Sequence, residues 1–428
     1  MRSEIDWFRF LRLFDAGHSA QNPGLVDDVD SWNLASGSVA QGRGVKRCRI
    51  SPATVAEVIE VGVQLRTIYN DFVKTWDVII VGGGIIGLSL SISLRKRGMK
   101  VLVLERGEPG REASYAAAGM LADHGDEFPA ALAPLAKASA QIYPEFVHEL
   151  QDESGVDVDL RDAGTILLHD GVAESHGALP SPLSELEPAL DSSGRSASYL
   201  RERSVNPRLL FSAALKAAKH REVDISSGAE VTEILVAQKR ANGAKTTKTT
   251  YHAEIVVNCA GAWARQFPPL ALPTRPVKGQ ILSVIGGPIL CHVVRAPQIY
   301  LVPRSDGLIV IGATLEDAGY DKRTLPETIQ HLLRSATKLV PSLKKAQLHE
   351  AWTGLRPGTP DKLPILGETT VPGYFAATGH FRDGILLATI TARVMTELIL
   401  DGKCSYELTP FSPYRFELNQ SQKFLQAV

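Results

Sequence analysis

The alternation of apolar and polar positions changes character at Trp76. Before it, Gly and Ser punctuate the stretch from Asp15 to Gly44, which reads as loops. One helix is predicted there: Ser51 caps it, Pro52 suits its first turn, and Val55, Val58, Ile59, Leu65, Ile68 and Phe72 recur near helical spacing. It reads as a packing appendage. From Trp76 onward, WDVIIVGGG is a short buried strand entering a glycine turn, Ile85 to Gly98 a helix, and KVLVLE a second strand. Their apolar, β-branched composition suits a parallel sheet covered on both faces.

Further along, ALAPLAKASAQIYPEFVHEL predicts a long helix, Gly164 to Leu168 a short strand, and Leu179 to Leu190 a loop rich in Pro and Ser. The helix NPRLLFSAALKAAKH and strands near Val223 to Ile225, Glu230 to Val236 and Glu254 to Asn258 then resume an alternation that returns to the first sheet. Between Pro276 and Leu315 the runs QILSVIG, IYLVPR and GLIVIGATL predict a mainly antiparallel sheet, followed by a helix from Pro326 to Leu339. A last helix covers Ile385 to Leu400.

The expected fold is α/β: a doubly wound, Rossmann-like dinucleotide-binding domain, plus a second α+β domain built on an antiparallel sheet. The first domain is discontinuous, over 76–125, 206–270 and 350–405, and the second spans 126–205 and 271–349. Residues 1–75 form an extension and 406–428 a tail. The length of 428 residues agrees, since it exceeds what a single core usually organises.

Composition narrows the function by exclusion. Lys+Arg 46 against Asp+Glu 47 leaves no field that would favour nucleic acid or an anionic membrane. The cysteines Cys48, Cys259, Cys291 and Cys404 form no C-x-x-C pair, so neither zinc nor a disulfide framework is indicated. No run reaches the roughly 18 apolar residues of a membrane span, and Glu4 and Asp6 interrupt the aromatic N-terminus, which argues against a signal peptide. A cytoplasmic protein is expected.

The chemistry begins at Gly82-x-Gly84-x-x-Gly87, placed after a strand and at the opening of a helix. Glycine lets backbone N–H groups and the helix N-terminus approach a pyrophosphate. Glu105 ends the next strand about 20 residues on, where a carboxylate accepts hydrogen bonds from ribose hydroxyls and disfavours a 2′-phosphate. This constellation does not separate FAD from NAD. The following segment, Gly110 to Ala122, is rich in small residues, with Ser114, Ala117, Ala118, Gly119 and Met120; on propensity alone it is an Ala-rich helix.

That segment, with VNPRLL, GAEV, VVNCAGAWA, PVKGQIL, IYLVPR, AWTGLRPGTPDKLPILG and FAATGHFRDGILLAT, resembles the D-amino-acid oxidase family, and its glycine-oxidase branch in particular, over nearly all of Trp76 to Leu400. The resemblance implies FAD as cofactor, with Gly82, Gly84, Ile86, Gly87, Glu105, Arg106, Ser114, Ala117, Ala118, Gly119, Val231, His380, Gly384 and Ile385 in its site. His380 and Val231 would serve through their backbones. It makes Arg356 the anchor of a substrate carboxylate, Tyr300 a second donor to it, and Arg382 and Met120 neighbours of substrate and flavin. A planar guanidinium suits that anchoring because it donates two parallel hydrogen bonds to a carboxylate. Related sarcosine oxidases attach FAD through a cysteine near the position of Gly354 to Thr359, where this chain has none, so a noncovalent flavin is expected.

The implied activity is oxidation of glycine and other small amino acids to the imino acid, then to keto acid or glyoxylate and ammonia, with oxygen reduced to hydrogen peroxide. A homo-oligomer is expected, and a supply of glycine imine for thiazole synthesis in the thiamine pathway follows from the branch. Two alternatives stay open: a secondary-amine oxidase or dehydrogenase acting on sarcosine or an N-substituted glycine, and a flavin-binding subunit without catalysis.

Overall fold

The computed structural model describes residues 75–123, 129–171, 177–191 and 193–416. The helix expected between Ser51 and Phe72, the rest of the N-terminal extension before Thr75, and the tail beyond Phe416 lie outside the described residues.

The first sheet has six strands, in the spatial order Ile365–Glu368, Tyr374–Thr378, Ile255–Asn258, Val78–Val81, Val101–Glu105, Asp224–Ser227. All pairings are parallel except the antiparallel edge strand Ile365–Glu368. Strand alternation divides its side chains between two cores. Val78, Ile80, Val101 and Val103 pack with the helices Ile85–Lys96, Ala133–Ser154, Pro207–His220 and Gly384–Asp401. Ile79, Val81, Leu102 and Leu104 face the opposite way, onto Val231, Ile234, Ala241 and Ala244 of a three-stranded meander.

That meander corrects one expectation. The segment near Glu230 to Val236 does not rejoin the parallel sheet; strand Val231–Ala237 folds back on Arg240–Thr246 through Gln238 and Lys239. Both turn residues have positive φ, 49° and 64°, the conformation of a two-residue hairpin whose twist matches its strands. Two further elements fall elsewhere than the pattern suggested. Helix Ala133–Ser154 packs into the core of the first sheet, and strand Gln347–Gly358 pairs with Arg275–Ile285 in the second sheet. The pattern also passed over strand Arg195–Leu200, whose polar sequence gives little apolar signal.

The second sheet has seven strands, ordered Gln347–Gly358, Arg275–Ile285, Leu308–Gly312, Ile299–Pro303, Val293–Ala296, Thr165–Asp170, Arg195–Leu200. It is antiparallel apart from the Val293–Ala296 and Thr165–Asp170 pair. One face carries Leu282, Val284, Leu301 and Ile311 against helix Pro326–Leu339. The other turns Ile281, Val302 and Val310 toward Ala118 and Met120, and the functional cavity forms there. Among the described residues, no helix is long and apolar enough to cross a membrane.

Asn258 ends the central strand and is fully buried. Its Nδ2 donates to the Ala264 carbonyl at 2.9 Å and to the Tyr374 hydroxyl at 2.8 Å, while its Oδ1 accepts from Ala260 N at 3.1 Å. Asn258→Leu fills the same space but leaves these groups unpaired, each at about 1–3 kcal/mol. Urea unfolding is expected to shift to a lower midpoint; an unchanged midpoint contradicts the assignment.

Candidate functional site

A cavity of about 1320 Å³ runs from the first glycine turn to the face of the second sheet. Small-molecule sites usually span about 300–1,000 Å³, so this one has room for a dinucleotide and a small second ligand. Its walls divide into three regions.

At the first, the chain reverses from strand Val78–Val81 into helix Ile85–Lys96 with Gly82 at φ 109°. A Cβ there would stand 2.5 Å from the Cys259 carbonyl oxygen, so only glycine fits. The Glu105 carboxylate accepts from Gly83 N at 2.8 Å and from Gly107 N at 3.0 Å, which fixes it beside the turn. Ser114 Oγ accepts from Ile85 N at 2.9 Å, at the helix N-terminus where an anion is favoured. The Arg106 guanidinium lies 3.7 Å from the Trp263 ring centroid and donates to Glu112 at 2.7 Å. Burial pushes the Cys259 thiol far above its usual range.

The second region is the small-residue segment. After the short helix Ala113–Ala116 the backbone runs through Ala117, Ala118 and Gly119 to Met120, along the cavity wall and against Ile281, Val302 and Val310 of the second sheet. Trp352 Nε1 donates to the Ala116 carbonyl at 3.2 Å. Arg304, 6% exposed, donates to the Val205 carbonyl at 2.9 Å and to the Ala118 carbonyl. Burial lowers the Arg304 pKa to about 10, which still leaves it charged at neutral pH.

The third region is cationic. The Arg356 guanidinium lies flat over Gly279 on the neighbouring strand, where any Cβ would overlap its Nη1 and Nη2. Nη1 donates to the Thr314 carbonyl at 3.1 Å and more weakly to the Lys278 carbonyl at 3.4 Å. Tyr300 lies close enough to Arg356 for the two to act on each other, and the charge of Arg382 acts on both. Burial lowers the Arg356 pKa and raises that of Tyr300; the charges of Arg356, Arg382 and Arg304 pull the Tyr300 value back down.

Beyond them, helix Gly384–Asp401 begins at the cavity wall with Gly384 and Ile385. Burial depresses His380 to a pKa of about 3, and its Nε2 shares a 3.0 Å hydrogen bond with Thr391 Oγ1. It is therefore neutral at physiological pH and unsuited to shuttle protons. Asp383 is pushed up to about 6 by burial, opposed by the charge of Arg382.

Every residue singled out from the sequence lies on this wall except Gly87. Gly87 packs behind it, where a Cβ would overlap the Gly82 carbonyl oxygen. Sequence reasoning missed Arg304, Trp352, Trp263 and Gly279. Arg304 and Gly279 sit inside the quoted runs IYLVPR and PVKGQIL, so a signal was present, but their partners come from distant strands.

A strand–glycine turn–helix with an acid fixed beside the turn, opening on a large cavity, defines a dinucleotide-binding protein. Residues 77–398, well over half the chain, match the model of the FAD dependent oxidoreductase family, DAO. The chain belongs to that family, and FAD is its cofactor. It is similar to glycine oxidase from Bacillus licheniformis, 33% identical over 355 residues that cover 78% of this chain and 95% of that protein. It is also similar to the bifunctional protein ThiO/ThiG of Trichormus variabilis, 35% identical over 368 residues, 81% of this chain and 56% of that one. The chain thus spans about half the length of these bifunctional relatives. The crystal structure of glycine oxidase from Geobacillus kaustophilus superposes with a TM-score of 0.76 at 33% identity, covering 80% of this chain and 99% of that one.

The raised Asp383 pKa yields a pH prediction. Below the ordinary aspartate range, near 3.9, folded and unfolded chains both hold the proton and the residue has no effect. Between there and about 6 the folded chain retains a proton that the unfolded chain has lost, so the cost of burying this group grows; above about 6 it is constant. Asp383→Asn should stabilise the FAD-free protein by an amount that rises over this interval and then levels off, read from unfolding midpoints. A gain independent of pH contradicts the assignment.

Proposed function

We propose that the chain is an amino-acid oxidase of the glycine-oxidase type, which oxidises glycine and similarly small amines to the imine and passes the electrons to oxygen, giving hydrogen peroxide. The observation that carries this reading is the Arg356 guanidinium lying over Gly279 with the Tyr300 hydroxyl beside it, on a cavity that Ala116 to Met120 also line. Two donors there match the two oxygens of a substrate carboxylate.

The remaining roles follow from position. Gly82, Gly84, Ile86, Glu105, Arg106, Ser114 and Val231 hold the adenosine and phosphate end of FAD, while Ala117, Ala118, Gly119, His380, Gly384 and Ile385 border its ring. When bound, the flavin supplies a hydride acceptor. The N-terminus of the 18-residue helix Gly384–Asp401 favours the negative charge that reduction brings. Arg304 and Trp352 keep the small-residue wall in place, so that a carboxylate fixed at Arg356 directs its α-carbon at one face. With His380 neutral and held by Thr391, no side chain is committed to removing a proton, and the amine reacts as its free base. Cys259 is the one cysteine on the cavity wall among the described residues, and it adjoins the Gly82 turn, which favours a noncovalent flavin. The names of the bifunctional relatives favour use of the glycine imine in thiazole synthesis.

Anaerobic mixing of the yellow protein with glycine, sarcosine, D-alanine and D-proline tests this directly. Glycine is expected to bleach the flavin, and air to restore it with release of peroxide; sarcosine bleaching faster would select the secondary-amine reading. Arg356→Ala should cost about 2–5 kcal/mol in kcat/KM for glycine. A loss below about tenfold, 1.4 kcal/mol, would remove Arg356 as the anchor.

A further inference from the structure

Behind the cationic wall lies a buried charge that does not line the cavity. Lys278 precedes Gly279 on strand Arg275–Ile285, and its side chain points to the face opposite the one on which Arg356 rests. It is only 2% exposed, an unusual state for a lysine. Its Nζ stands 3.8 Å from Glu316 Oε2 and 3.6 Å from Asp321 Oδ2. The backbones are stapled together as well: Lys278 N donates to the Glu316 carbonyl and Glu316 N to the Lys278 carbonyl, each at 2.9 Å.

Glu316 stands between two cations. Its Oε1 accepts from Gln280 Nε2 at 2.9 Å and from the Thr314 hydroxyl, while the Thr314 carbonyl is the acceptor for Arg356 Nη1. The Glu316 charge acts on Arg356, and Arg356 Nη1 and Glu316 N both donate to the Lys278 carbonyl. A guanidinium that finds its counter-ion within the protein has less to gain from a substrate carboxylate, because the ligand then displaces an existing partner. Lys278 draws Glu316 toward the far face of the strand.

We propose that Lys278 is a positioning residue that holds Glu316 away from Arg356, so that the charge of Arg356 stays available to the substrate carboxylate. This rests on the reading of Arg356 as the anchor. It predicts a pattern that a purely structural lysine would not give: loss of Lys278 harms carboxylate binding, and removing the Glu316 charge as well repairs it.

The test is titration of the FAD-loaded protein with acetate, followed by the change in flavin absorbance, together with steady-state oxidation of glycine. Lys278→Met should raise the acetate Kd and the glycine KM by about tenfold while saturating kcat stays within about twofold. Lys278→Met/Glu316→Gln should bring both back to within about threefold of the parent. An unchanged acetate Kd in Lys278→Met, or a double variant no better than the single one, overturns the proposal. Should Lys278→Met fail to fold, Lys278→Gln decides in its place: an acetate Kd raised by about tenfold and restored by adding Glu316→Gln supports the proposal, and an unchanged Kd overturns it. Arg356→Ala is the control. If that variant binds acetate as tightly as the parent, the anchor falls and the Lys278 role with it; a normal Arg356 effect beside an inert Lys278→Met overturns the Lys278 role alone.

Discussion

The Arg304 guanidinium is buried where the two sheets meet, and the shape of the cavity depends on what it holds. It donates to the carbonyls of Ala118 and Val205, one in the small-residue wall and the other just ahead of helix Pro207–His220. Buried backbone carbonyls need donors, and here a single side chain from the end of a second-sheet strand supplies them to two separate segments. Trp352 does the same for Ala116 from a different strand. That wall is thus a segment of little intrinsic rigidity, fixed from outside by side chains from the second sheet. Its small residues permit close approach, and the distant donors determine where it lies.

Electrostatics adds the second constraint. Arg356, Arg382 and Arg304 all act on the Tyr300 hydroxyl, which concentrates positive charge at one end of the cavity. Burial first, and then like charge, opposes that concentration: both lower the pKa values of Arg304 and Arg356, with Arg161 acting on Arg304 and Arg382 on Arg356. The cationic end therefore favours an anionic partner. At the opposite end the acidic Glu105 is committed to the backbone of the glycine turn. The cavity is thus polarised, with a helix N-terminus toward one end and guanidinium groups at the other.

Much of this was legible in the residues. The turn at Gly82 to Gly87 and the acid at Glu105 carry their meaning locally, because strand, turn, helix and strand are consecutive. The strands between Pro276 and Leu315 announced themselves by β-branched runs and turn residues. What escaped depends on tertiary partners. Strand Val231–Ala237 reads equally well as a member of the parallel sheet until its hairpin with Arg240–Thr246 is seen. Arg304 looks like any surface arginine until the two carbonyls it holds come within reach, and Gly279 looks like a strand defect until Arg356 lies across it. The long helix Ala133–Ser154 has an apolar stripe that names no partner, and only the folded chain shows it lying with Gly384–Asp401 in the first core.

A crystal structure of the FAD-loaded protein with bound acetate is the most direct measurement. The carboxylate should lie within hydrogen-bonding distance of both Arg356 and the Tyr300 hydroxyl, with its methyl group toward the flavin ring and the ring against Ala117 to Gly119. Acetate bound away from Arg356, or a ring seated elsewhere than beside that wall, would contradict the assignment of the cavity.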